Sequence, residues 1–172
     1  MKKYLFALIA VLGIAGAAQA QRTELSVSYG GYTQMDAMDC HDGGGDVNTA
    51  WGALNIGANV NVAPNFWLGP SYTFSSTSRK GNSENHFYYH AIMLNGMYDY
   101  YRNSIVKMYA HVGVGAIISH QTYHGDSWNR GYFGFQLSPI CAKVDLSRQI
   151  SMFGELGFGA QGLLQVGFKV AL

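Results

Sequence analysis

Three groups of residues in this chain have types that could do chemistry. His120, His124, Asp126 and Ser127 fall in one short stretch. A hydroxyl, an imidazole and a carboxylate together are the parts of a hydrolase or acyltransferase centre. Upstream, Asp36, Asp39, Cys40, His41, Asp42 and Asp46 surround Gly43, Gly44 and Gly45. Such oxygen ligands on a flexible segment could take a divalent cation. Their spacing matches neither an EF-hand loop nor a paired Cys/His zinc motif, so a solvated acidic loop is expected. The third group is dispersed: Glu24, Lys107, His111, Glu155 and Lys169. Each occupies the polar row of an alternating segment, and only a structure that closes those segments on one another would bring them together. No catalytic residue, metal ligand or cofactor is assigned.

The elements that must position these residues are strands. In the closing stretch, Leu164, Val166, Phe168, Val170 and Leu172 alternate with Gln165, Gly167, Lys169 and Ala171, and a period of two is a strand signature. Further alternating segments are read at 23–32, 49–63, 66–77, 86–98, 105–119, 131–143 and 150–159. The clearest sets Leu54, Ile56, Ala58, Val60 and Val62 against Ala53, Asn55, Gly57, Asn59 and Asn61. Three Asn on one face are costly in a dry core and suit a hydrated lumen. Pro64-Asn65 marks a tight turn, and Pro70 predicts a bulge or an unpaired position. In the sixth strand Phe133, Phe135, Leu137 and Pro139 are set against Gly134, Gln136, Ser138 and Ile140. Residues 33–48, 79–85 and 120–130 are read as the longer loops, and the other connections as short turns, apart from a tight one at 159–162.

Composition narrows the class. Charged residues make up only 12% and aromatics 14%, with mean hydropathy near zero, which suits a wall with one apolar and one polar face. Lys2 and Lys3 precede an apolar run and end at Ala18-Gln19-Ala20, the pattern of a secretory signal peptide over residues 1–20. No later run reaches the ~18 apolar residues of a spanning helix. Without Lys2 and Lys3, 9 cations face 10 carboxylates, so no basic nucleic-acid footprint exists. Cys40 and Cys141 are assigned to opposite ends of the structure, which argues against a bridge. Two aromatic belts are expected: Phe66, Trp67, Tyr98, Tyr100 and Tyr101 at one rim, and Phe87, Tyr88, Tyr132 and Phe133 at the other.

The fold class expected is all-β: a closed antiparallel up-and-down transmembrane β-barrel of about eight strands in residues 21–172. The closing strand resembles the terminal strand of bacterial outer-membrane barrels, which the barrel-insertion machinery reads, although that family usually ends in Phe and this chain ends in Leu172. The whole pattern resembles the small eight-stranded barrels of the OmpA-transmembrane and OmpX type. That resemblance implies an integral outer-membrane protein, monomeric, in contact with outer-membrane lipid, with its lumen filled by a network here made of Glu24, Lys107, His111, Glu155 and Lys169. Lys169 is expected near Glu24. The role implied is non-enzymatic, structural or adhesive, with an extracellular ligand at the loops. A lipid A-modifying enzyme and a narrow solute channel are the alternatives. The palmitoyltransferase family of similar size opens with an amphipathic helix, whereas only Gln21 and Arg22 precede the first strand here. The lipid A deacylase family uses His-x-Ser, and the nearest match is His120-Gln121-Thr122.

Overall fold

The structure, a computed structural model, describes residues 22–42, 48, 50–79, 82–123 and 126–172. Alternation of apolar and polar side chains is what the strands share. It gives β1 (Thr23–Gly31), β2 (Ala53–Ala63), β3 (Phe66–Arg79), β4 (Asn82–Arg102), β5 (Val106–Tyr123), β6 (Asp126–Asp145), β7 (Ile150–Gly159) and β8 (Leu164–Ala171). Each strand pairs antiparallel with its sequence neighbour, and β8 returns to β1 to close the barrel. The closing seam runs from Glu24 opposite Ala171 to Gly31 opposite Leu164. Closure leaves no edge along the seam, the condition for strands to cross hydrocarbon. Among the described residues no helix is long and apolar enough to cross a membrane.

The facing assigned to β8 is the one observed. Leu164, Val166, Phe168 and Val170 are exposed, while Gln165 and Lys169 are buried. The same parity holds on β2, where Leu54, Ile56 and Val62 are exposed and Asn55 and Asn59 buried. The apolar rows therefore cover the outside of the barrel, and the polar rows fill its inside.

The wall is uneven. β4, β5 and β6 have 21, 18 and 20 residues, and β3 has 14. β1, β2, β7 and β8 have only 9, 11, 10 and 8. A tilted strand crosses a bilayer in ~9–11 residues, so β3–β6 rise as a tall wall beyond a short one. All the extra height is at the end away from Arg22 and Leu172; we call these the far end and the terminal end. The stretches 79–85 and 120–130, expected as loops, are mostly ladder. β3 and β4 pair as far as Arg79 and Asn82, and β5 and β6 as far as Tyr123 and Asp126.

Three local features depart from the sequence reading, while the unpaired position expected at Pro70 is found. The predicted first loop contains a helix, α1 (Gln34–Asp42). Thr33 caps it: Asp36 N donates to Thr33 Oγ1 at 3.4 Å, and Thr33 N donates back to Asp36 Oδ2 at 2.7 Å. This reciprocal pair is a capping box with Asp in the third position. Pro70 interrupts pairing without a bulge, because Gly57 opposite Ser71 and Val60 opposite Leu68 keep one register. Pro139 does make a bulge. Tyr109 pairs with Cys141 but His111 with Ser138, so β6 carries one extra residue there. The parity of β6 flips beyond it, turning Ile140 outward against expectation and Cys141 and Lys143 inward. Finally, Trp67 is buried, and Phe87 and Tyr132 pack against buried lumen side chains. These three leave the belts that sequence assigned to them.

The tight turn between β7 and β8 is also at the far end. Gly159 and Gly162 have φ of +148° and +114°, conformations that a side chain disfavours. They fold Ala160 and Gln161 down into the lumen, where both are buried.

Candidate functional site

The lumen changes character along its axis. At the far end Met35 of α1 inserts among Tyr89, Ala91, Met93, Ile117 and Ala160 in an apolar layer. Gln34 holds the helix down, donating from Nε2 to Phe133 O at 2.9 Å and accepting from Phe135 N at 3.2 Å. Asp36 Oδ1 accepts from Ala50 N at 2.7 Å, which fastens the returning chain. The carboxylate raised above as a cation ligand is thus consumed by capping and by this anchor. The side chains of Asp39, Cys40, His41 and Asp42, and Gly43 to Asp46 altogether, lie outside the described residues.

Below the plug is a layer of amides and hydroxyls. Gln161 Nε2 donates to Ser71 Oγ at 2.8 Å and to Asn95 Oδ1 at 3.1 Å. Gln161 N donates to Gln136 Oε1 at 3.0 Å. A cavity of about 30 Å³ lies alongside, lined by Asn55, Asn59, Gln165 and Lys169 among others. It has room for about two waters. Asn55 Oδ1 and Asn59 Oδ1 are buried there without a protein partner.

The charges form the next layer. Glu155 accepts from Tyr109 Oη at 2.7 Å, and its other oxygen is 2.7 Å from His111 Nδ1. His111 Nε2 reaches Asn95 Oδ1 at 3.0 Å, joining this layer to the amides. Lys169 Nζ donates to Tyr109 Oη at 3.2 Å and lies 4.3 Å and 4.7 Å from the ring centres of Tyr109 and Phe153. Lys169 lines the same small cavity as Glu24, close to it as expected, but makes no ion pair with it. Glu24 is taken by Lys143, at 2.6 Å. Lys143 is the interior charge that sequence reasoning missed, because the bulge at Pro139 hid its parity. Lys107 stands apart, half-buried at the terminal rim and paired with Asp145 at 2.7 Å. The structure thus brings His111, Glu155 and Lys169 together around Tyr109, places Glu24 in a second pair, and leaves Lys107 outside both.

The terminal end is open. A cleft of about 410 Å³ there is lined by Arg22, Asn61, Asn65, Trp67 and Arg102. Trp67 Nε1 donates to Asp99 Oδ2 at 3.3 Å, and Arg102 pairs with the same carboxylate at 2.7 Å. Cys141 is a free thiol, fully buried, with Sγ 3.2 Å from Ser138 O.

Of the triad candidates, His120 and Ser127 have described side chains. His120 Nδ1 is engaged by Asn129 Oδ1 at 2.7 Å. Ser127 lies opposite Thr122, two pairs along the ladder from His120 and Asn129. His124 and the side chain of Asp126 lie outside the described residues. Among the described residues no three His, Cys, Asp or Glu side chains are grouped to hold a metal ion.

Comparison with known structures places the fold. Neisserial surface protein A is similar with a TM-score of 0.58 at 10% identity, over 87% of this chain and 96% of that one. Ail, the attachment invasion locus protein of Yersinia pestis, is similar with a TM-score of 0.50 at 11% identity, over 88% of this chain and 95% of that one. No curated protein sequence matches significantly. The family model for the outer membrane protein beta-barrel domain matches residues 5–161. With a closed eight-stranded wall, apolar outside and polar within, the chain belongs to that outer-membrane β-barrel family.

Proposed function

We propose that this is a non-enzymatic outer-membrane protein that binds an extracellular partner through the tall β3–β6 wall and the connections above it. The observation that carries this reading is the height of that wall. β4 to β6 are about twice as long as crossing requires, and the excess projects at one end. Backbone held in a ladder outside the membrane is a rigid platform for a partner. Ser127 to Gly131 are all exposed on it, and pairing between β6 and β7 begins only at Gln136.

The far end then faces outside and the terminal end the periplasm, with short turns at 64–65, 103–105 and 146–149 on the inner side. We read residues 1–20 as the export signal and β8 as the segment that the insertion machinery engages. The filled lumen supports a structural barrel over a solute path, because Met35 and the β7–β8 turn occupy its outer mouth. Ail carries attachment and invasion in its name and has a similar fold, which agrees with a surface role.

The test is adhesion by intact cells. Variants lacking 77–87 or 121–129 are compared with the full protein for binding to immobilised extracellular-matrix and serum proteins. We expect lost binding with a barrel that still folds, seen as a heat-dependent shift in gel mobility. Unchanged binding by both shortened barrels contradicts the reading.

A further inference from the structure

The outward face of the tall wall carries no Asp, Glu, Lys or Arg over 66–78, 86–98, 106–120 and 127–144. What it carries instead, at its upper edge, is a continuous row of rings. Tyr72 and His90 lie 6.0 Å apart between centroids, His90 and Phe74 5.4 Å, Phe74 and Tyr88 6.4 Å, and Tyr88 and His86 6.2 Å. On β5, His120 stands directly opposite Tyr88. Three of the imidazoles in this protein thus gather around one tyrosine on a single face.

Their polar edges are organised. Tyr72 Oη and His90 Nδ1 are 2.6 Å apart. Asn129 Oδ1 accepts from His120 Nδ1, which leaves Nε2 of that ring for a further partner. Immediately below, towards the terminal end, the same face is purely apolar: Ile92, Leu94, Val112 and Val114 are each more than half exposed, at 62%, 51%, 53% and 55%. The short wall has a different rim. Tyr29 and Trp51 pair there at 5.8 Å, and no histidine accompanies them among the described residues.

The chemistry of the row selects its occupant. A phosphodiester headgroup calls for Lys or Arg, and the face has neither. Ring faces with hydrogen-bonding edges suit a saccharide, which offers apolar C–H faces and hydroxyls together. The apolar strip directly beneath suits acyl chains. A molecule with sugar above and fatty chains below satisfies both, and the ring row lies at the level of the outer headgroups if the far end faces outside.

We propose that Tyr72, Phe74, His86, Tyr88, His90 and His120 form a docking face for the saccharide headgroup of an outer-leaflet glycolipid, whose acyl chains follow the apolar rows below. The face orders the glycolipid against the tall wall only, so the lipid shell around the barrel is asymmetric. The proposal rests on the membrane orientation given above and is independent of any ligand of the hairpin tips.

The test uses the folded barrel in mild detergent, where orientation plays no part. Native mass spectrometry measures binding of dephosphorylated lipid A, a diglucosamine glycolipid, against a phospholipid with matched acyl chains. The wild-type barrel is expected to prefer the glycolipid at least tenfold. His86→Leu/Tyr88→Leu/His90→Leu should abolish that preference, while Tyr29→Leu on the short wall keeps it. Should the triple variant not fold, Tyr88→Leu/His120→Leu is read in the same way. The proposal is overturned by a wild-type barrel without preference, by a folded variant that keeps it, or by equal loss in Tyr29→Leu.

Discussion

The two halves of the lumen are filled by different physics. At the far end one short helix lays Met35 into an apolar layer and is held by Gln34 and Asp36. Towards the terminal end five adjoining strands contribute charges: Glu24 from β1, His111 from β5, Lys143 from β6, Glu155 from β7 and Lys169 from β8. The plug is an attachment to a barrel that already exists. The charge layer braces the barrel itself, since each partner belongs to a different strand. Buried charges are tolerated only while paired and hydrogen-bonded, so this brace is strong when whole and costly when broken. The far-end plug can come away at the cost of its own contacts alone.

The largest effect should follow from breaking the brace. Glu155→Ala leaves His111, Tyr109 and Lys169 facing a vacated carboxylate, and should cost about 3–5 kcal/mol. Urea unfolding in lipid vesicles measures it. A change in midpoint no larger than that of a rim substitution would mean that the charges do not brace the wall. Met35→Ala acts on the other end. It should weaken helix docking by about 2 kcal/mol, read as faster hydrogen exchange in α1 with the unfolding midpoint of the barrel nearly unchanged. If the barrel midpoint falls with it, the plug is part of the wall's stability and the contrast between the ends is lost.

Two smaller effects sharpen the same contrast. Asp36→Ala removes the capping box and the Ala50 anchor together, and should cost about 1 kcal/mol, again confined to exchange in α1. Lys107→Ala removes a half-buried pair with Asp145 at the rim and should cost less than about 1 kcal/mol in the vesicle unfolding assay. A loss as large as that of Glu155→Ala would place Lys107 within the brace after all.

Much of this architecture was legible because a barrel wall in lipid imposes a strict period of two. Every side chain on β2 and β8 had to choose between hydrocarbon and lumen, and Asn55 or Val166 leaves little ambiguity. The failures share a cause, which is any feature that breaks the period. The extra residue at Pro139 inverted the second half of β6, so Ile140 was set inward and Lys143 overlooked. Lys169 does lie near Glu24, but it is Lys143, turned inward by the bulge, that makes the ion pair. The proline was visible in the sequence, and asking where a residue without an N–H fits a ladder would have raised the bulge. The helix α1 was hidden by its composition, rich in Asp and next to three glycines. Its one sequence signal was Thr33 with Asp36 three residues on. The height of β3–β6 was missed because polar strands beyond a membrane lose the apolar alternation that reveals strands within it.

Which end faces outside decides most, since the platform and the ring row both lie at the end away from the termini. A membrane-impermeant maleimide on intact cells decides this. Cys141 is fully buried and contributes no background, and Cys40→Ser removes the other thiol. In that background, Ser127→Cys reports the tall wall and Ser147→Cys the turn between β6 and β7. We predict labelling of Ser127→Cys on intact cells, and labelling of Ser147→Cys only after the outer membrane is breached. Labelling of Ser147→Cys on intact cells, with Ser127→Cys protected until breach, would contradict the account.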